Sequence, residues 1–243
     1  MRVLRSVVLC VIFGSAVPCA LAADPAAPQR VVELYTSLGC SSCPPADEIA
    51  GKLRELPDFI VLSFHVLYWD GPTFKDPFGS HASTERQSEY ERTLKLSTAF
   101  TPQIIVDGRQ SVVLSEPGAL RSALESPEPA APVKVALSRQ ADGAFEASLQ
   151  GPPTAADVWE IGYVSKATTK IHGGENKGST LTTYNNVTSI RRLGSFAPGT
   201  LHLQPLTSRE DGVAVIVQAP GQGRILGASA YATGAGAPAS GAH

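Results

Sequence analysis

The chain is poor in sulfur and histidine: four cysteines, one methionine and five histidines in 243 residues. Cys10 and Cys19 fall in an N-terminal stretch that reads as a discarded secretory leader, so only Cys40 and Cys43 are expected in the mature chain. Two cysteines exclude a disulfide-stapled scaffold, which needs several bridges. The histidines are His65, His81, His172, His202 and His243. None pair at H-x-x-x-H or H-E-x-x-H spacing, so no metal site is written in the sequence. There is no basic run, which argues against a nucleic-acid partner. No apolar run reaches the roughly 20 residues of a membrane-spanning helix, so no stable membrane insertion is expected.

The leader has its expected parts. Arg2 and Arg5 give a basic start, residues 7–17 are apolar apart from Gly14 and Ser15, and Ala20-Leu21-Ala22 is an A-x-A cleavage site. Pro18 stands before Cys19 where a lipidation site needs a small residue. Residues 1–22 are therefore read as a signal peptide, and the remaining 221 residues carry a net charge of −4, because the leader removes two arginines from a chain at −2. The expected location is secreted or periplasmic, an oxidising space in which a neighbouring cysteine pair closes. The length suggests two domains.

Residues 30–36 (RVVELYT) read as a strand buried on both faces. Pro44 and Pro45 follow Cys43, a position where a first helical turn tolerates proline. Ile49, Leu53 and Leu56 recur on one helical face until Pro57. Residues 59–67 (FIVLSFHVL) predict a second buried strand and residues 81–97 a polar helix with Glu85, Arg86 and Gln87 on a solvated face. A strand at 103–106, an Asp107-Gly108 turn, a return strand at 111–114 and a helix at 116–125 complete the order β-α-β-α-β-β-α. Residues 126–132 (SPEPAAP) form a proline-rich linker. Beyond it the apolar period becomes two, and about seven strands without a helix predict a sandwich over residues 133–232. Residues 233–243 are Gly, Ala, Pro and Ser-rich and are expected to be disordered.

Cys40 and Cys43 stand between the first strand and the first helix. At i and i+3 on a helix start they share a face, where the partial positive charge of the helix terminus favours a thiolate. Thr101-Pro102 opens a later strand, followed by a hairpin and a closing helix. The set resembles the thioredoxin fold, giving an α/β thioredoxin-like domain over residues 23–126 followed by an all-β sandwich domain. The resemblance implies a cis-proline loop beside the cysteines. Pro102 is the candidate, since X-Pro is the bond at which cis is cheap, and it leaves Thr101 free to pair with an extended peptide. Trp69, in the loop after the second strand, is read either as lining a substrate groove on the cysteine side or as a cover for the core.

The segments ELYTSLGCSSCPPAD, HVLYWDGPTFKDPFGS, TERQ, TPQIIVDG and GGENKG together resemble the DUF1223 family of secreted thioredoxin-like proteins, across nearly the whole mature chain. One departure is Leu67, where that family usually carries an acidic residue. The expected chemistry is thiol–disulfide exchange, with Cys40 attacking from an at least partly exposed position at the helix start, a more buried Cys43 resolving, a protein or small thiol/disulfide as substrate and no cofactor. Ser41-Ser42 brings no positive charge, so an extreme depression of the Cys40 pKa is not supported. Two alternatives stay open: a static disulfide in a binding or assembly module, and a Cu(I) carrier using both thiolates and a third ligand. His65 reads as a core histidine, the glycine-rich segment at 173–178 as a loop between sandwich strands, and Asn186-Val187-Thr188 as a glycosylation acceptor inside a strand pattern. The sandwich is expected to fold by itself and to supply no group to the site. Oligomeric state is not specified.

Overall fold

Strand β1 (Arg30–Thr36) is apolar at most positions, and the computed structural model, which describes residues 30–127 and 131–232, buries both of its faces. The leader at 1–22 and the tail at 233–243 lie outside the described residues, as do positions 128–130 of the expected linker. Strand β2 (Phe59–His65) runs parallel to β1, from Arg30 opposite Phe59 to Thr36 opposite His65. Strand β3 (Gln103–Val106) pairs antiparallel on the other side of β1 and continues through a hairpin into β4 (Gln110–Val113). Asp107 and Gly108 both have positive φ, the requirement of a tight hairpin turn.

Alternation along β1 divides the core. Val32 and Leu34 face helices α1 (Pro44–Leu53) and α3 (Ala119–Glu125) through Ala46, Ala50 and Ala123. Val31 and Tyr35 face helix α2 (His81–Thr93) through Tyr90. The expected α1 stripe is corrected: the helix buries Ala46, Asp47 and Ala50, and Leu56 lies beyond its end, 47% exposed. Proline at the start and sheet on one side rotate small residues inward.

The solvated face expected for α2 is also corrected. Ser83, Arg86, Gln87 and Tyr90 are its buried residues. Arg86 donates to both carboxylate oxygens of Glu33 on β1, at 2.7 and 2.8 Å, and to Gln218 and Gln222 at 3.0 and 2.6 Å. Tyr90 donates to Glu33 at 2.7 Å. A bidentate Arg–carboxylate pair with its remaining donors satisfied can be buried where an unpaired charge cannot.

After residue 130 the described chain holds strands only: β5 (Lys134–Arg139), β6 (Phe145–Gln150), β7 (Asp157–Lys170), β8 (Thr180–Ser195), β9 (Gly199–His202), β10 (Gly212–Gln218) and β11 (Ile225–Ala232). The change of period at 126–132 is real, but it does not separate two sheets. One eight-stranded sheet runs β11-β10-β7-β8-β2-β1-β3-β4, and β5-β6-β9 form a second. Strand β8 meets β2 in parallel at Ser63 opposite Asn186, and Asn185 Nδ2 donates to the Val61 carbonyl at 2.7 Å. This covers a β2 edge that would otherwise stand open and apolar. Ile161, Val187, Ala214 and Ile216 accordingly share one core with Val31, Leu62 and Phe64. At the far end Phe145, Ala147 and Leu149 of the three-stranded sheet share a cluster with Val213, Val215, Val217 and Leu226 of the larger one.

Candidate functional site

The chain leaves β1 at Thr36 and turns through Ser37-Leu38-Gly39 into the cysteine pair. The Cys40 N–H donates to the Ser37 carbonyl at 3.1 Å and the Cys43 N–H to the Cys40 carbonyl at 3.2 Å. Cys43 is the N-cap of α1, with proline in the first helical positions and no side-chain cap. Cys40 and Cys43 are joined as a disulfide, with Cα atoms 5.4 Å apart. Ser42 Oγ lies 3.3 Å from Cys40 Sγ, and since a disulfide sulfur has no proton, the hydroxyl donates.

Both cysteines have zero exposure, against the expectation of an accessible Cys40. A loop from the second half of the chain packs on this turn, beside Phe74 and Trp69. The loop between β7 and β8 closes on itself through Ile171 and Ser179, at 2.8 Å, and lies over the cysteine turn as a strap. Glu175 Oε2 accepts from the Ser41 N–H at 3.1 Å and the Ser41 hydroxyl at 2.7 Å. The Glu175 N–H reaches the Gly39 carbonyl at 3.3 Å. Asn176 Nδ2 donates to the Leu38 and Cys40 carbonyls at 3.0 and 2.8 Å. Ile171 packs with Leu38 and Phe74 below. The paired glycines allow this approach: a Cβ on Gly173 would fall 2.1 Å from the Thr73 carbonyl oxygen, and Gly174 has φ +68° with Gly39 beside it. Residues 173–178 are thus a loop between strands, as expected, but one that belongs to the site. Its two bonds to Ser41 hold the Glu175 carboxyl below its ordinary range.

Beneath the turn lies a buried polar cluster. Asp76 Oδ2 accepts from the Leu38 N–H at 2.7 Å and the Ser37 hydroxyl at 3.2 Å, so it holds the turn from below. It also meets His65 Nδ1 at 2.9 Å, while His65 Nε2 faces Asn186 Oδ1 at 2.9 Å. Burial alone would push His65 down, but Asp76, Asp47 and the acceptor on Asn186 together raise its pKa. Burial likewise opposes ionisation of Asp76, and its pKa is nevertheless lowered by His65 and the N–H donors of Leu38 and Phe78. Asp47, one helical turn after Cys43, accepts from Thr36 Oγ1 at 3.1 Å. Burial raises its carboxyl to about 7 despite nearby His65. A cleft of about 310 Å³ between α1 and β8 reaches it, lined by Pro44, Glu48, Leu181 and Tyr184 among others.

Of the residues expected from sequence, the Thr101–Pro102 bond is cis. Trp69 is half-buried and its Nε1 donates to Thr101 Oγ1 at 2.7 Å. A Cβ placed on Gly39 would stand 3.3 Å from Trp69 Cβ, so Trp69 links the cis loop to the cysteine turn while also packing on the core. His65 is a satisfied core histidine. Asp47, Asp76, Glu175 and Asn176 were not expected at the site, although all four sit in segments that carry the family resemblance. Among the described residues no three His, Cys, Asp or Glu side chains gather as a group that could hold a metal ion. Among the same residues no helix is long and apolar enough to cross a membrane.

No curated protein matches the chain. A crystal structure of protein AGR_C_4864 from Agrobacterium tumefaciens is similar, at 28% identity and a TM-score of 0.72 over 85% of this chain and 95% of that one. HBP35 of Porphyromonas gingivalis is similar in fold, at 13% identity and a TM-score of 0.58 over 89% of this chain and 79% of that one. The DUF1223 model, described as a protein of unknown function, matches residues 31–218, and the chain belongs to that family.

Proposed function

We propose that the protein is an extracytoplasmic thiol–disulfide oxidoreductase whose thioredoxin-like half carries the Cys40–Cys43 pair. The observation that supports this most directly is the placement of a four-residue cysteine turn at the start of α1, linked through Trp69 to the Thr101–Pro102 loop. A substrate thiolate attacks Cys40 Sγ, the Cys40–Cys43 bond breaks, and Cys43 leaves as a thiolate that takes a proton. A second substrate thiolate then attacks the mixed disulfide and releases Cys40. The substrate dithiol gives two electrons and becomes a disulfide, and the protein ends as a dithiol; the reverse sequence reduces a substrate disulfide. The strap must lift for either direction. The extracytoplasmic part of the reading rests on the N-terminal sequence.

A second reading, a static disulfide in a binding or assembly module, is favoured by one observation: both sulfurs have zero exposure. Two measurements separate them. The Cys43→Ser protein should accumulate a mixed disulfide through Cys40 with a disulfide substrate, as the Cys40 thiolate attacks and one substrate sulfur leaves as a thiolate, and Cys40→Ser should form none. Absence of any adduct, with a disulfide that dithiothreitol reduces only after unfolding, would establish the static reading instead.

A further inference from the structure

The strap's charged contact falls on the amide next to Cys40. We propose that Glu175 is a positioning residue that biases the Cys40–Cys43 pair toward its disulfide form. The proposal rests on the exchange reading above.

Reduction takes two electrons and two protons from a dithiol and leaves a thiol on each cysteine. The Cys40 thiol then ionises toward a thiolate, which N–H groups at a helix start stabilise. Here two of those donors are committed, while the Ser42 hydroxyl stays beside Cys40 Sγ. The Cys43 N–H is bonded to the Cys40 carbonyl, and the Ser41 N–H and hydroxyl are both bonded to Glu175 Oε2. Glu175 therefore removes a donor from the developing thiolate and sets a negative charge near it. The disulfide carries no charge and pays no such penalty. Glu175 and Ser41 are exposed, so salt screens the effect. The buried Asp47, His65 and Asp76 stand behind the pair whether or not Glu175 is charged, and cancel when the wild type is compared with a variant at one pH.

The test uses the full mature chain and its Glu175→Gln and Asn176→Ala variants, equilibrated with reduced and oxidised glutathione. The reduced fraction is read by alkylation, and the Cys40 thiol pKa from the alkylation rate against pH. Gln keeps a carbonyl acceptor for Ser41, so the strap stays closed and only the charge is lost. At a pH above the Cys40 thiol pKa, the expected result is a shift of about threefold toward the dithiol and a Cys40 thiol pKa lower by about half a unit, with both differences shrinking in about 1 M salt. Asn176→Ala removes the two bonds to the Leu38 and Cys40 carbonyls. It should speed reduction without moving the thiol pKa. If the pair is reducible in the folded protein but Glu175→Gln matches wild type in both equilibrium and thiol pKa, the role of Glu175 is overturned and the exchange reading stands. If the pair is reduced only on unfolding, both are overturned.

Discussion

Replacing Asp47 with asparagine should stabilise the protein at pH 8 and leave it nearly unchanged at pH 4. The carboxyl is 4% exposed and its pKa is raised from 3.8 to about 7, with burial the largest cause. In the unfolded chain Asp47 ionises near pH 4, while in the folded chain it stays protonated to about pH 7. Across that window the native state holds the extra proton, so stability falls as pH rises. Below the window both states are protonated and the penalty vanishes; above it the penalty is complete. At about 1.4 kcal/mol per pKa unit the ceiling is about 4 kcal/mol. Asparagine cannot ionise and still accepts from Thr36. The charged groups around the site are His65 on β2, Asp76 below the cysteine turn and Glu48 on α1 itself. The raised pKa of His65 adds stability that is fully present below its unfolded value near 6.5 and is lost as pH passes its folded value, so the variant keeps part of the downward slope. Urea unfolding of both proteins at pH 4.5, 6 and 8, with the disulfide intact, reads the difference as a midpoint shift at constant slope. A difference that stays constant across this range would show that Asp47 does not titrate as described and would sink the argument.

Arg86→Met leaves Glu33 buried and unpaired and should cost about 3–5 kcal/mol in chemical unfolding, with the Glu33→Gln, Arg86→Met double variant recovering part of it; additive losses would contradict a coupled pair. A fragment of residues 23–126 should fail to fold cooperatively, since β2 loses its β8 neighbour and the core loses Ile161, Val187 and Ile216. Its near-ultraviolet circular dichroism and urea transition check this, and a sharp transition matching the full chain would refute it. Gly173→Ala places a Cβ 2.1 Å from the Thr73 carbonyl oxygen, so the strap should lift and dithiothreitol should reduce the pair faster than in wild type; an unchanged rate would mean that the strap does not control access.

Local features were readable and composite ones were not. The strands at 30–36 and 59–65 announce themselves by unbroken apolar character, and the helix start after Cys43 by its prolines. Arg86 and Gln87 misled because a polar helix face normally meets water. Glu33, the partner of Arg86, lies 53 positions away on a strand whose pattern says only that something is buried there, and Gln87 reaches the Phe100 carbonyl and Gln103. The shift of period at 126–132 marked a real change from mixed to all-strand structure, but periodicity carries no information about which strand edge is covered. That information lies in the single meeting of Ser63 with Asn186. The strap was invisible for the same reason. Its glycines mark a close approach of backbones, yet what they approach depends on β8 docking beside β2.

That docking also bears on whether the disulfide is sealed or gated. The cover over Cys40 is held by five hydrogen bonds, from the Glu175 N–H, the Asn176 amide twice, and the Ser41 N–H and hydroxyl. All five involve exposed Glu175 or half-buried Asn176, where water replaces a lost partner. Hydrogen bonds that water can replace contribute little net stability, so lifting the strap tip is a low-cost local opening. A sulfur sealed by packed core would need a much larger opening, because its cover carries apolar contacts that water cannot replace. The packed part of the strap is Ile171 with Leu38 and Phe74, and Gly173 and Gly174 against Phe74, while Glu175 and Asn176 at the tip hold the turn by polar contacts. The tip can therefore open about an anchored base. Zero exposure in the closed form is in this way compatible with exchange, at a rate set by the open fraction.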